Sequence, residues 1–327
     1  MAAQTRVVVT GAAGFIGSHL CERLLADGHE VVGIDAFSDY YDRALKEQNL
    51  AHARTNAKFA LEELDLVDGD LRAPLAGAKV VFHLAGQPAV RPSWGREFDR
   101  YVRDNILATQ RLLEALRQIE LDRLVFAGSS SVYGNAEVFP TKETTLPQPI
   151  SPYGMTKLAA EHLTMVYLRN FRIPAVSLRY FTVYGPRQRP DMAFSRFMQA
   201  LADNEEIEVF GDGEQTREFT YVSDAVDGTV KAAQADVVGQ IVNLGGGSRV
   251  TVNRVLDTLQ EISGMKIRRR NLPAAPGDPR HTGASINLAR ERLGWEPRVA
   301  LHDGLKEQWE WFRAARQSTA TQRTTRN

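Results

Sequence analysis

The sequence predicts an α/β protein with a doubly wound parallel sheet and a second, smaller mixed α/β domain. Two observations predict this class. Short β-branched runs alternate with longer amphipathic segments through the first 181 residues, and shorter elements with glycine-rich turns follow. The 327 residues, 43% of them hydrophobic, suffice for one large core or for two domains that share an interface. We therefore place a first domain at 1–181, interleaved with later segments, and a second mainly at 182–315.

The predicted elements of the first domain follow one another in the order that βαβ units require. Strands are predicted at 6–10, 30–35, 79–86, 122–130 and 173–181. Helices are predicted from about 15 to 26, in the stretch that ends at 50, near 97–119, and from about 153 to 171. We expect six or seven strands of this kind in all, which, covered by helices, make a doubly wound sheet.

The second domain contains shorter elements, with turn signals at 211–215 and 245–248. Helices are predicted at 221–233 and 251–262, each opening with a Ser or Thr that can cap it. The last segment, 316–327, lacks apolar residues to bury, so we expect a disordered tail there.

Charge and cysteine content exclude several classes of function. Lys plus Arg equals Asp plus Glu at 40 each, so no overall field favours nucleic acid or an anionic membrane. Cys21 is the only cysteine, which forbids an internal disulfide and fits a reducing compartment. No run approaches about 18 apolar residues, and the first strand begins without the apolar run of a signal peptide. We expect a soluble, cytoplasmic protein with no metal, nucleic-acid or membrane partner.

A glycine-rich turn joins the first predicted strand to the first helix. It contains Gly11, Gly14 and Gly17, where backbone N–H groups and the helix N-terminus favour a pyrophosphate. Asp35 ends the second strand, so its carboxylate can accept from both ribose hydroxyls of adenosine and would repel a 2′-phosphate. Many turns contain glycine, but strand, glycines, helix, strand and acid in this order predict a Rossmann dinucleotide site that prefers NAD over NADP.

Tyr153 and Lys157 lie four residues apart at the start of a predicted helix, which places them on one face. A tyrosine has a pKa of about 10, so as a base near neutral pH it needs nearby positive charge from Lys157 and an oxidised nicotinamide. On this pair alone, an ordinary amphipathic helix is the better interpretation. The serine cluster 129–131 favours catalysis, because it follows a parallel strand at the edge where open α/β sheets bind ligands.

Seven motifs carry a family resemblance: TGxxGxxG, Asp35, DL (70–71), HLAG (83–86), Asn105, the serine cluster and YxxxK. Together they resemble the extended short-chain dehydrogenase/reductase family, the NAD-dependent sugar-nucleotide epimerases and dehydratases, from about residue 5 to about 315. The resemblance implies Tyr153 as base, Lys157 as ligand of the nicotinamide ribose, and Ser129 or Ser130 as the third catalytic group. It also implies cofactor contacts at Phe15, Ile16, Asp70, Leu71, Leu84, Ala85, Gln87, Tyr180 and Val183, with Asp70 and Leu71 flanking the adenine.

The reaction that this resemblance implies is oxidation of a sugar at C4, followed by return of the hydride to the same carbon. Tyr153 takes the proton from a sugar C4 hydroxyl while hydride passes to NAD, and the hydride then returns to the other face of the 4-keto sugar. Dehydratases and decarboxylases that resemble this chain usually carry an acidic residue just before VYG. Because this chain has Ser131 there, an epimerase is favoured.

The second domain supplies candidate contacts for a UDP-sugar. Arg217 and Arg280 suit a diphosphate because guanidinium groups bind oxygens bidentately, although for a single loop arginine a surface salt bridge is the better interpretation. The resemblance adds Asp278 as a further UDP contact. It also implies that the backbone near Phe194 faces the uracil. The helices near 97–119 and 153–171 resemble the dimer-forming pair of the family, so we expect a homodimer.

The stretch RYFTVYGPRQRPDMAF (179–194) narrows the substrate. Many UDP-galactose epimerases of this family read RYFNPxG, whereas this chain has Thr182 at the asparagine position. With FSDYYDRALKEQNL (37–50), the stretch resembles the UDP-glucuronate 4-epimerases. A C6 carboxylate would meet hydroxyls of Thr182 and the serine cluster, and a guanidinium from Arg189 or Arg91, although Arg189 can instead pair with Asp191. We expect conversion of UDP-glucuronate to UDP-galacturonate; the alternatives are UDP-glucose/galactose 4-epimerisation, dehydration or decarboxylation, and a non-catalytic NAD-binding scaffold.

Overall fold

A seven-stranded parallel sheet forms the centre of the molecule. The computed structural model describes residues 5–324, with side chains described through residue 317. In chain order the strands are β1 Arg6–Thr10, β2 Glu30–Asp35, β3 Phe59–Glu63, β4 Val80–His83, β5 Arg123–Ser129, β6 Ala175–Tyr180, β7 Val183–Tyr184, β8 Ile207–Phe210, β9 Thr216–Glu218, β10 Thr220–Tyr221, β11 Ile241–Leu244, β12 Arg249–Thr251 and β13 Arg269–Leu272. The order across the sheet is β11-β6-β5-β4-β1-β2-β3. The order reverses between β1 and β4, which makes their carboxyl edge the expected ligand site.

Helices cover both faces of this sheet. They are α1 Phe15–Ala26, α2 Arg43–Leu50, α3 Arg72–Leu75, α4 Phe98–Tyr101, α5 Ala108–Leu116, α6 Pro152–Phe171, α7 Ala193–Ala202, α8 Val222–Gln234, α9 Val252–Ser263, α10 Asn287–Leu293 and α11 Leu301–Thr324. A π-helical segment, Val102–Leu107, joins α4 to α5, so the long helix predicted near 97–119 is observed as three consecutive segments.

The run of valines in β1 follows directly from this layered arrangement. Val7 and Val9 pack on one face of the sheet in a cluster with Leu20 and Leu24 of α1, whereas Val8 packs on the other face with Leu112 of α5. A strand covered on both faces has no polar side to present, so its sequence reads as a continuous β-branched run. The doubly wound parallel Rossmann sheet predicted from the sequence is confirmed.

β3 is the edge strand that the sequence patterns do not reveal. Its sequence FALEE is only partly buried, so it lacks the apolar run of the central strands. It pairs with β2 in parallel, from Val31 opposite Phe59 to Asp35 opposite Glu63. The strand therefore brings the residues that follow it to the same edge as Asp35.

The second region is built from short pairs of strands and the remaining helices. The pairs are β7 with β10, β8 with β13 and β9 with β12. Its core includes an aromatic cluster in which the ring centroids of Phe194 and Phe219 lie 4.6 Å apart. β11 leaves this region and pairs with β6, from Ile241 opposite Ser177, so the main sheet is completed by a late segment of the chain.

The helix ends agree in part with the capping predictions. Thr251 caps α9 by accepting from the Arg254 N–H at 3.1 Å. The expected cap of α8 is wrong, because that helix begins after Tyr221 and no side chain caps it among the described residues.

The last helix also extends further than expected. α11 includes residues 316–324, for which the composition predicts disorder. Trp309 and Phe312 stack on each other with centroids 5.8 Å apart, and Arg316 forms an ion pair with Asp203. These contacts stabilise the preceding turns from which the helix continues; residues 325–327 lie outside the described part. Of the described helices, none is long and apolar enough to cross a membrane.

Candidate active site

A cavity of about 730 Å³ opens at the carboxyl edge of the sheet, beside the point where the strand order reverses. Both the glycine turn and the Tyr–Lys pair line it. The predicted residues that it brings together are Gly11, Gly14, Phe15, Ile16, Gly17, Asp35, Leu84, Ala85, Gln87, Tyr153, Lys157, Tyr180 and Arg189. Most of the predicted cofactor contacts and the predicted base therefore share one enclosure.

The glycine turn is a backbone surface that leaves no room for side chains. A Cβ on Gly11, where φ is +71°, would lie 2.8 Å from the backbone nitrogen of Ala85, and one on Gly17 would lie 2.1 Å from the carbonyl oxygen of Gly11. No side chain caps α1 among the described residues, so the N–H groups of its first turn remain available. Such a helix start fits a pyrophosphate.

Asp35 lies at the end of β2 with its carboxylate fixed by two backbone donors. Oδ2 accepts from the Ala13 N–H at 2.9 Å, and Oδ1 accepts from the Phe37 N–H at 2.8 Å. Burial raises the pKa of Asp35, while these hydrogen bonds and the charge of Lys46 lower it. Each carboxylate oxygen retains lone-pair capacity for a ribose hydroxyl.

The predicted adenine contacts, Asp70 and Leu71, are not among the residues that line the cavity. Asp70 is 59% exposed and holds the guanidinium of Arg72, and Leu71 is buried in the core beneath the sheet edge. The cavity is lined instead by Asp65 and Leu66, which follow β3 directly. Asp65 and Leu66 precede the predicted pair by five residues. They lie at the cavity because β3 ends at Glu63, and the carboxyl end of β3 lies beside Asp35.

The start of α6 positions the Tyr–Lys pair. Ser151 caps the helix by accepting from the Gly154 N–H at 3.1 Å, and Pro152 occupies the first turn. Tyr153 lies in that turn, and Lys157 follows one turn later on the same side. The ammonium of Lys157 lies 4.8 Å from the centre of the Phe126 ring, and only 7% of the residue is exposed.

The environment of this pair opposes charge on both side chains. Burial raises the pKa of Tyr153, while the Ser129 hydroxyl and the charge of Arg189 lower it. Burial lowers the pKa of Lys157 to about 8, and the charge of Glu161 opposes that decrease. A pKa of about 8 leaves Lys157 mostly protonated at neutral pH, so it can supply positive charge to an acid–base reaction.

Asn105 connects the loop after β4 to the Tyr–Lys helix. Its Oδ1 accepts from the Gln87 N–H at 2.8 Å, and its Nδ2 donates to the Gln87 carbonyl at 3.1 Å and to Thr156 Oγ1 at 3.0 Å. Asn105 lies in the π-helical segment, where the altered backbone turns it towards α6. The amide therefore fixes Gln87 relative to Tyr153.

His83 anchors the same loop from below. Its ring nitrogens bond to Thr10 Oγ1 at 2.8 Å and Thr109 Oγ1 at 3.0 Å, and Thr10 Oγ1 also accepts from the Ala85 N–H. Burial lowers the pKa of His83 to about 3, so the ring is neutral at physiological pH. The HLAG histidine is a structural support of the cavity wall.

The serine cluster lies at the end of β5 and in the turn that follows. Ser129 Oγ accepts from the Ser131 N–H at 3.1 Å, and Ser129 acts on the pKa of Tyr153. Ser130 and Ser131 lie in the following 3₁₀ turn, and Thr182 lies between β6 and β7 with its carbonyl bonded to the Thr220 N–H. Neither Ser129 nor these three residues are among those that line the cavity.

Arg189 lies in the cavity wall with 18% of its side chain exposed. It pairs bidentately with Asp191, at 3.0 Å for each of two contacts, so the pairing weighed from the sequence is observed. Its charge nevertheless reaches Tyr153. Arg189 is therefore both an ion-pair partner and a cation at the base.

Arg91 and the second-region arginines separate into two groups. Arg91 pairs with Asp278 at 3.0 Å and stacks on the Phe210 ring at 3.7 Å, and Arg217 lies 3.9 Å from Asp278. We call Arg91, Arg217 and Asp278 the arginine cluster. Arg280 is 61% exposed and pairs with Asp212 instead. Arg91 thus joins the side chains predicted to hold a diphosphate.

Two further predicted contacts are buried away from the cavity lining. Val183 lies in β7 with 5% exposure, and Phe194 lies in the aromatic cluster with 2% exposure. The side chain of Phe194 therefore contributes to the core, and the prediction that its backbone faces a uracil remains a prediction.

Residues 7–245 match the model of the NAD dependent epimerase/dehydratase family. The chain belongs to this family. A solved structure, UDP-glucuronic acid 4-epimerase from Bacillus cereus in complex with UDP-glucuronic acid and NAD, is similar with a TM-score of 0.93 and 44% identity, over 95% of this chain and 100% of that one. The UDP-glucuronate 4-epimerase of Thermodesulfobacterium geofontis is 35% identical over 93% of this chain and 95% of its own length. An uncharacterized UDP-glucose epimerase of Bacillus subtilis is 45% identical over 92% and 95%.

Within this epimerase/dehydratase chain, sequence reasoning missed Asp65, Leu66 and Tyr40 as cavity residues. A signal existed for the first two, since a DL pair also stands at 65–66. Recognising it required the edge strand β3, which is too exposed to read from its apolar pattern. Tyr40 belongs to the stretch 37–50 that carries part of the resemblance, but its contact with Asp191, 151 residues later in the sequence, depends on the fold.

Proposed function

We propose that this protein is an NAD-dependent UDP-glucuronate 4-epimerase that interconverts UDP-glucuronate and UDP-galacturonate. The observation that carries the proposal is the shared cavity, in which a backbone pyrophosphate site and Asp35 adjoin Tyr153, Lys157 and a guanidinium. The choice of substrate is supported by the high similarity to a solved epimerase that holds UDP-glucuronic acid and NAD.

NAD would be held by the glycine turn and Asp35, and it supplies a reversible hydride acceptor when bound. Tyr153 would remove the proton from the C4 hydroxyl of the sugar, with Ser129 bonded to the same oxygen. Lys157, whose pKa of about 8 leaves it largely protonated at neutral pH, would stabilise the phenolate that results. When the reaction reverses on the other face of the ketone, the same phenol returns the proton.

The substrate must also keep its carboxylate. Oxidation at C4 creates a β-keto acid, which loses CO2 when the C5–carboxylate bond aligns with the carbonyl π system. Neutral hydroxyls of Ser131 and Thr182 would hold the carboxylate out of that alignment, with Arg189 as the available cation. Ser131 stands where related decarboxylases carry an acid, so general acid–base help next to the ketone is missing.

The two regions would divide the ligands between them. We assign NAD to residues 1–181 together with the later segments that complete the sheet, and the UDP moiety mainly to 182–315. Arg217, joined by Arg91 from the first region, would hold the diphosphate, while the Asp278 carboxylate would orient both guanidinium groups. Arg280 would lie at the exposed rim. Guanidinium forks suit this role because they bind phosphate oxygens bidentately.

Product analysis after incubation with UDP-glucuronate tests the proposal. We expect UDP-galacturonate to form, and UDP-galacturonate to yield UDP-glucuronate in the reverse experiment. Release of CO2 with a UDP-pentose as the main product would show that the roles given to Ser131 and Thr182 are wrong. A UDP-glucose incubation addresses the second candidate, UDP-glucose 4-epimerisation, which the relative from Bacillus subtilis favours; a higher kcat/KM for UDP-glucose would replace the proposed substrate.

We also propose a cytoplasmic homodimer. α6 exposes Met155, Val166 and Phe171 by 41–48%, and Val102 in the neighbouring π-helical segment is 36% exposed. Large apolar side chains on adjacent helices favour a bundle with a second copy. Light scattering should give twice the chain mass, and Val166→Glu should yield a monomer; a wild-type monomer would reject the dimer.

A further inference from the structure

The loop that follows Asp35 is fixed at its first residues by two hydrogen bonds. Its first turn is held by Asp35, whose Oδ1 accepts from the Phe37 N–H, and Phe37 adopts a left-handed φ of +48° that few side chains favour. Farther along, Lys46 Nζ donates to the Ser38 carbonyl at 2.6 Å. The loop is therefore ordered by the same carboxylate that is proposed to hold the adenosine ribose, and it presents Tyr40 in a defined position.

Tyr40 extends from this loop to the segment that carries Arg189. Its hydroxyl donates to Asp191 Oδ2 at 3.2 Å, while Nε and Nη2 of Arg189 donate to the two Asp191 oxygens. A bidentate contact fixes the plane of the guanidinium as well as its distance. A chain of hydrogen bonds thus connects the loop beside the ribose site to the cation beside Tyr153.

We propose that Tyr40 and Asp191 are positioning residues, which hold the Arg189 guanidinium against the cavity so that its charge acts on Tyr153. This inference rests on the proposed function in taking Tyr153 as the base. It adds a second cation to Lys157, contributed by a different element of the chain. It also connects that cation to the loop at the adenosine end of the cavity.

Three groups from three other elements face Tyr153. Tyr101 of α4 meets its ring edge-on with centroids 6.2 Å apart, Ser129 ends β5, and Arg189 lies in the loop after β7, while Lys157 follows one turn later on α6. Arg189 in turn faces Asp191 and Tyr40. Burial raises the pKa of Tyr153 and the Arg189 charge lowers it, so displacing Arg189 would raise that pKa further.

The test is the acidic limb of kcat against pH for the NAD-loaded enzyme, since this limb reports deprotonation of the base in the complex. Asp191→Asn keeps the size of the side chain and removes its charge, and Tyr40→Phe removes only a hydroxyl. We expect the limb to move to higher pH by about one unit in Asp191→Asn and by less in Tyr40→Phe. A limb that stays in place or moves to lower pH in Asp191→Asn would overturn the inference.

Two controls separate positioning from a general structural role. In an Arg189→Met background, Asp191→Asn and Tyr40→Phe should move the limb no further, because there is no guanidinium left to hold; a further shift of the same size contradicts the inference. Tyr184→Phe is the control, because its buried hydroxyl has no hydrogen-bond partner among the described residues and Tyr184 lies outside the cavity lining. Its limb should coincide with that of the wild type.

The measurement does not depend on the identity of the sugar. If UDP-glucuronate is not converted, the proposed substrate fails, and the same series is measured with UDP-glucose. If neither is converted, the ionisation of Tyr153 is followed directly by tyrosinate absorbance, with Tyr153→Phe as the blank. A shift of that titration in Asp191→Asn supports the inference, and an unchanged titration overturns it.

Discussion

The glycine turn and the arginine cluster are two candidate diphosphate sites, and they are built by different means. The turn offers backbone N–H groups and tolerates no side chain, since a Cβ at Gly17 would lie 2.1 Å from a carbonyl oxygen. The cluster offers guanidinium groups, and Asp278 pairs with Arg91. A backbone site is preformed, whereas a side-chain site must exchange its carboxylate partner for phosphate. The glycine turn should be rigid, so that any added side-chain atom strongly weakens ligand binding. Substitutions in the arginine cluster should instead weaken binding by graded amounts.

The largest expected effect belongs to neither site. Tyr153→Phe should lower kcat by about 10³-fold, since it removes the group that transfers the proton. NAD and UDP-glucuronate should bind as in the wild type, measured by calorimetry, because the phenol belongs to neither diphosphate site. Loss of NAD binding in this variant would show that the two sites are not separable from the catalytic group.

Gly17→Ala tests the rigidity of the backbone site. The added Cβ would meet the Gly11 carbonyl oxygen, so the turn must distort, and we expect NAD affinity to fall at least about 100-fold. Gly28→Ala is the control, because Gly28 also has a positive φ of +92° while its Cβ would meet no described atom within 4 Å. It should lower the melting temperature without weakening NAD. Equal NAD affinity in both variants would contradict the account of the turn.

Lys157 is buried in the cavity lining, and its burial should cost stability in a pH-dependent way. Its pKa of about 8 when folded is below the ordinary lysine value of 10.5, so the unfavourable contribution is complete below pH 8 and is lifted as pH rises towards 10.5. A difference of this size corresponds to about 3 kcal/mol. In NAD-free protein, urea unfolding should show Lys157→Met gaining stability over the wild type at pH 7, with the gain shrinking by pH 9.5. A gain that is equal at both pH values would refute this.

The arginines should give the smallest and most graded effects. Arg217→Leu should raise KM for the UDP-sugar by about 30-fold, the range of a lost charged hydrogen bond, without changing NAD affinity. Arg280→Leu, whose side chain is 61% exposed and paired with Asp212, should raise KM only a few-fold. If Arg280→Leu has the larger effect, the diphosphate lies at the rim rather than in the arginine cluster.

The same contrast explains what could be predicted from the sequence. The glycine turn, Asp35 and the Tyr–Lys pair depend on local backbone geometry and fixed spacing, and the structure brings all of them to one cavity. Arg91 joins Asp278 across 187 residues, a contact that spacing does not encode. The sequence suggests Arg91 as a partner of the C6 carboxylate of the substrate, whereas the structure places it in the arginine cluster.

Asp70 and Leu71 lie outside the cavity lining for a different reason. Their DL pair carried the family signal, but the position of such a pair depends on where the preceding strand ends. β3 is a half-exposed edge strand whose side chains do not alternate clearly, so its end could not be located from apolar pattern alone. Edge strands therefore limit the prediction of any site built on the loop that follows them.

The position of strand β11 affects how the protein can fold while it is synthesised on the ribosome. The chain emerges from residue 1 onwards, yet the seventh strand of the cofactor sheet is made of residues 241–244 and lies against β6. Until that segment is released, β6 has an open edge whose backbone donors and acceptors await a neighbour. A nascent chain stopped at residue 181 would therefore be an incomplete sheet, prone to pair with other chains.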